Sequence, residues 1–150
     1  MVQFLKLRHK MKITKEDIKT RFDEYNKKYF NGVLPSCKYH IFKSSSFFGR
    51  YTYSVNRKIN VGHIWIAYNA DWHEEDLREV IIHEMIHHYV QMIEGHKGGL
   101  FGHNWRFQRQ SKRLKEEYGI IIHIKYPHLY HIGEKKPTNF FQKIRRYIGI

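Results

Sequence analysis

One stretch limits what this chain can become. "VIIHEMIHHYVQMIEGH", residues 80–96, sets four histidines and two glutamates into a largely apolar run. Leu77, Val80, Ile81, Met85, Tyr89 and Met92 cover more than one side of a helix, which must therefore be largely buried. Burying His83, Glu84 and His87 there is costly unless something inside the fold compensates their lost hydration. His83 and His87 are four positions apart and project from one helical face, about one turn from each other. That geometry offers two imidazole nitrogens to one zinc ion at roughly 2.0–2.1 Å. Glu84 is rotated off the ligand axis, where it can take a proton from a water at the metal without ligating the metal itself.

Twelve histidines in 150 residues make the spacing less telling than it first looks. A chance H-E-x-x-H in such a chain has a probability of roughly one in twenty, so context carries the rest. A catalytic zinc site needs a third protein ligand beside its water. The longer pattern H-E-x-x-H-x-x-G-x-x-H would require histidine where Ile93 stands. Five candidates remain: His88, His96, His103, Glu116 and Glu117. His88 points about 100° away from His87 and suits packing better than ligation. His96 falls at the end of the helix, while His103 opens a new helix after the Gly-rich connection "GHKGGLFG" and can fold back over the first two.

The rest of the pattern is α+β. Thr14 and Asp17 form a capping-box signature, and Ile18, Phe22, Tyr25 and Tyr29 follow at helical spacing. Gly32 and Pro35 close that helix. Residues 38–43, 47–55 and 58–68 are rich in β-branched and aromatic residues, with turns at "SSS" and "NRK", and predict a small antiparallel sheet. Asp71, with Glu74 three residues on, suits the N-cap of the central helix. A third helix is expected over about 103–118, stopped by Gly119, and a further strand near 120–125.

Charge is segregated. Residues 1–60 carry a balance of +10, residues 61–96 of −6 and residues 97–150 of +9, within a total of +13. An acidic centre between two basic flanks favours an anionic partner, nucleic acid first, over an even solubilising coat. A single cysteine, Cys37, excludes an internal disulfide framework and a four-cysteine zinc ribbon. The N-terminus lacks the apolar run of a signal peptide and no stretch is long enough to span a membrane, so the expected location is cytoplasmic, or nuclear in a eukaryote.

"FNGVLP", the glycine of "FFGRY", "KINVGHIWI", "HEMIH" and "GHNWRF" occur in an order and spacing that resembles the SprT-like family, which includes the Spartan proteases. The likeness spans about residues 14–118 of a chain read as one domain, 1–150, with a basic C-terminal segment from 119. "HEMIH" alone is common to many zinc hydrolases; its combination with the flanking motifs is more specific. The resemblance implies a zincin-like fold, one catalytic zinc on His83, His87 and His103, Glu84 as general base, and cleavage of proteins trapped on DNA, with DNA as activator. The paired-cysteine zinc ribbon of many bacterial relatives is absent. DNA contacts would then fall to basic surface and to "KIRRY" at 143–147.

The expected function is thus a zinc-dependent endopeptidase acting on DNA-associated proteins. The alternatives are a non-catalytic nucleic-acid-binding module with a structural zinc and a zinc hydrolase of non-protein amides. A peptide can add as a strand beside the site, with "KINVGHIWI" as the candidate receiving edge. Phe47, Phe48, Tyr51 and Tyr53 either fill the sheet core or stack on unpaired bases, and Arg50, Arg57 and Lys58 are candidate phosphate contacts.

Overall fold

The computed structural model describes residues 11–96 and 102–133. The first helix, α1 (Lys15–Tyr29), starts as the sequence dictates: Thr14 accepts from the Asp17 N–H at 3.1 Å, and Asp17 accepts the Thr14 N–H at 2.8 Å. Ile18, Phe22, Tyr25 and Tyr29 are its buried stripe. It ends one turn before Gly32, whose N–H returns to the Asn26 carbonyl. Asn31 and Gly32 both take positive φ to make that reversal.

Three strands follow, β1 (Cys37–Phe42), β2 (Gly49–Asn56) and β3 (Ile59–Ala67). The sheet order is β1-β3-β2, with β2 antiparallel to β3 and β1 parallel to it. The expected all-antiparallel sheet is therefore a mixed one. The β2–β3 hairpin turns on Arg57 and Lys58, both at positive φ, as a two-residue loop between paired strands requires. β1, by contrast, does not pair with β2. The chain crosses over residues 43–48 to the far edge, and β3 then returns between the two. "KINVGHIWI" is accordingly the central strand, not a receiving edge, because both its sides are already hydrogen-bonded.

α2 (Glu74–Met92) packs on the sheet and α3 (Trp105–Tyr118) packs on α2. The N-cap of α2 is His73, without a side-chain cap bond, rather than Asp71. Asp71 instead accepts the Tyr130 hydroxyl at 2.8 Å, while the acidic turn Glu74–Asp76 still complements the helix dipole. α3 begins at Trp105, capped by the Asn104 side chain, and ends on Gly119 at φ 70°. Phe22, Ile64, Ile66, Leu77, Ile81, Ile82, Met85, Ile86, Phe107 and Leu114 are fully buried between these layers.

The core continues past Tyr118. Residues 120–131 form an irregular strap across the N-terminal half of α2, with Ile120 and Leu129 buried. No strand forms at 120–125, because the strap bonds to side chains of α2 instead of to a sheet. His123 reaches Glu79 at 2.7 Å and His128 reaches Asp76 at 2.6 Å. "KIRRY" lies outside the described residues, as does most of "GHKGGLFG". No helix among the described residues is long and apolar enough to cross a membrane.

Candidate metal centre

Helix α2 holds His83, Glu84, Met85 and Ile86 below the surface, as its apolar pattern demands. His83 and His87 point the same way, with ring centroids 5.2 Å apart. His103 arrives from the turn before α3, its ring 4.8 Å from His83 and 5.0 Å from His87. The Asn104 cap fixes where that turn ends, and Phe107, one helical turn further, lies under all three rings at 4.7–4.8 Å. One ring nitrogen from each histidine lies within 4.8 Å of the others.

The donor chemistry suits a cation. His83 Nδ1 lies 2.9 Å from the His123 carbonyl, so it carries the hydrogen and leaves the Nε2 lone pair facing His103 Nε2 at 2.8 Å. Burial, with His87 and His103 alongside, holds the His83 pKa down to about 3. Burial and His103 hold His87 down to about 4, and burial lowers His103 as well. All three are neutral imidazoles at physiological pH, the form that ligates metal. Neither ring nitrogen of His87 has a hydrogen-bond partner among the described residues. The three residues therefore fit a bound metal ion.

Glu84 faces a cavity of about 710 Å3 lined also by Gly49, Tyr51, the three histidines and Tyr126. It has no hydrogen-bond partner among the described residues, and burial pushes its pKa up to about 8. Gly49 is what lets β2 approach. A Cβ there would stand 2.7 Å from Glu84 Oε1.

The other third-ligand candidates go elsewhere. His88 turns toward the sheet instead, between the Tyr51 hydroxyl at 3.0 Å and the Pro35 carbonyl at 2.7 Å. His96 borders the cavity without joining the cluster. Glu116 and Glu117 pair with Lys112 and Arg113 on the outside of α3. Of the aromatic cluster, Phe47 is exposed, Phe48 stacks on His131 at 4.4 Å and Tyr51 is committed to His88.

The sequence reading missed the strap's part in the site. His123 supplies the carbonyl that orients His83, and the Tyr126 hydroxyl lies 3.1 Å from the same Nδ1. Glu79 accepts the His123 backbone N–H at 2.7 Å and so holds that carbonyl in place. Two signals were available: the alternation of His and Tyr with buried Ile120 and Leu129, and the acids Asp76 and Glu79 facing them.

No curated protein matches the chain at a significant level. The model of the SprT-like family does match, over residues 18–128, a span that takes in the sheet, all three histidines, Glu84 and most of the strap. With that match covering well over half its length, the chain belongs to the SprT-like family, a family of metalloprotease-like domains.

Proposed function

We propose that the chain is a zinc-dependent endopeptidase acting on DNA-associated or DNA-crosslinked proteins. The observation that carries the catalytic part is Glu84: a buried carboxyl, open to the cavity, unpartnered, beside three converging neutral histidines. A purely structural metal site has no use for such a group.

His83, His87 and His103 would hold the zinc, which when bound supplies a Lewis acid for the scissile carbonyl and makes nearby water more acidic. The protein's own work is positioning and proton transfer. Among the described residues β2 has one edge unpaired in the sheet, and Gly49, Arg50, Tyr51, Thr52 and Tyr53 of that strand line the cavity. A substrate segment adding to this edge is held by backbone hydrogen bonds, which tolerate many side chains. Glu84 takes a proton from the attacking water and returns it to the leaving amine nitrogen, a role favoured by a pKa near the working pH. Burial alone sets that pKa at about 8, and a cation beside it draws it lower. Meanwhile, His123 and Tyr126 keep the His83 ring from turning.

The DNA part rests on charge. Basic segments flank the acidic stretch that carries the site, and a net +13 chain is drawn to polyanions. The test is Glu84→Gln beside His103→Ala, assayed for zinc content and for cleavage of a DNA-bound protein with and without single-stranded DNA. Glu84→Gln should keep one zinc and lose cleavage by about 10²–10⁴-fold, the usual worth of a general base. His103→Ala should lose zinc and cleavage together. A Glu84→Gln protein that still cleaves would remove the proposed mechanism.

A further inference from the structure

The sheet has two faces, and the helices occupy one. Tyr39 packs on Phe22 of α1, while Tyr51 and Gly62 face His88 of α2. Strand alternation sends Lys38, His40 and Phe42 of β1, Arg50, Thr52 and Ser54 of β2, and His63 and Trp65 of β3 to the other side. There the rings form one layer. His40 stacks on Trp65 at 3.9 Å and 16°, with His63 behind it at 5.2 Å and Phe42 edge-on to Trp65 at 6.2 Å.

Hydrogen bonds lock the layer. His40 Nε2 meets His63 Nδ1 at 2.9 Å, His63 Nε2 meets Ser54 Oγ at 2.8 Å, and Trp65 Nε1 donates to Thr52 Oγ1 at 2.9 Å. The rings are thus preorganised, yet His40, Phe42, His63 and Trp65 all stay partly exposed. Partly exposed aromatic rings held this rigidly make a ready stacking surface.

Cations surround them. Lys38, Lys43, Arg50, Arg57 and Lys58 are all exposed, and no acidic residue occurs between Cys37 and Asn69. None of the five forms an ion pair among the described residues. Four of the helix arginines contrast with them: Arg21, Arg106, Arg109 and Arg113 are each engaged by a glutamate. Burial first, and then His63, Lys15 and Lys38 nearby, hold the His40 ring below its ordinary pKa.

We propose that this open sheet face is a binding site for single-stranded nucleic acid, with phosphates on Lys38, Arg50, Arg57 and Lys58 and unpaired bases against Trp65 and His40. Single strands fit because their bases are free to stack on protein rings, whereas a duplex keeps them stacked on each other. Arg50 and Thr52 also border the cavity, so a bound strand runs beside the β2 edge to which a peptide would add. A protein attached to that strand is thereby brought to the site. The inference rests on the nucleic-acid part of the proposed function and not on hydrolysis.

The test is binding of a fluorescein-labelled oligo(dT) of about 15 nucleotides, a length within reach of one such surface, to the full chain over a range of salt. Lys38→Glu with Arg50→Glu should weaken binding at least tenfold and flatten the log–log salt slope by about 1.4, two phosphate contacts at about 0.7 each. The unlabelled oligonucleotide should quench tryptophan fluorescence, and Trp65→Phe should lose most of that quench. Arg145→Glu with Arg146→Glu, outside the described residues, serves as the comparison. The proposal is overturned if that pair abolishes binding while the sheet pair does not, if Trp65→Phe quenches like wild type, or if duplex binds more tightly. Circular dichroism and zinc content establish that each variant is folded. Because binding is read without cleavage, its failure leaves the endopeptidase reading standing, and loss of that reading leaves this one untouched.

Discussion

At Gly49 a methyl group would stand 2.6 Å from Val80 Cγ1 and 2.7 Å from Glu84 Oε1, and at Gly62 it would meet the His88 ring at 2.5 Å. Both glycines let the sheet approach the same face of α2, one helical turn apart, Gly49 over Glu84 and Gly62 over His88. Gly49→Ala and Gly62→Ala should each cost about 1–3 kcal/mol by overpacking, seen as a lower melting temperature. Only Gly49→Ala displaces Glu84, so it should also cut kcat at least tenfold with zinc retained. A Gly49→Ala enzyme with full kcat would detach Glu84 from the chemistry. Legibility at this scale divides along the same line. His83, Glu84 and His87 could be read directly, because a spacing of four fixes a shared helical face. His103 stayed one of five candidates on geometry alone, since its place depends on a turn whose path the residue order does not state. The glycine of "FFGRY" was visible only as part of a family likeness, because its reason is a tertiary contact with Glu84.

Elements with local causes matched their sequence. The Thr14–Asp17 box starts α1, the "NRK" turn closes the β2–β3 hairpin, and Gly119 ends α3. What failed depended on partners distant in the chain. β1 lies parallel to β3 because β3 returns between two strands already laid down, and no turn residue announces that. The strap looked like a strand through its isoleucines, yet its bonds go to carboxylates of α2. Those bonds give the strap a testable role. Glu79 holds His123, and the His123 carbonyl orients His83. Glu79→Ala should therefore lower zinc affinity by about 10–100-fold, the usual effect of removing an orienting partner. Competition against a chelator measures it. Unchanged affinity would mean that Tyr126 and packing alone hold the ring.

Across the whole molecule the site is assembled from β2, α2, the turn at His103 and the strap, so bound zinc would tie together segments that span most of the family match. Such a crosslink stabilises the folded state by mass action, about 2.7 kcal/mol when free metal stands at 100 times its Kd. For a chain of this size that corresponds to a melting shift of about 5–11 °C. The extent of the shift separates two kinds of metal site. In a domain that needs zinc to fold, the stripped chain is unfolded at 25 °C. Here the histidines are already neutral, His83 is already oriented by a backbone carbonyl, and the rings rest on the fully buried Phe107. Nothing in that arrangement requires the metal in order to form. Chelator-treated wild type should therefore keep its circular dichroism and melt cooperatively, only lower. His103→Ala saturated with zinc should melt near the stripped wild type, whereas Glu84→Gln should keep the full shift. A stripped chain without secondary structure would overturn the argument for preorganisation and make zinc part of the fold rather than its guest.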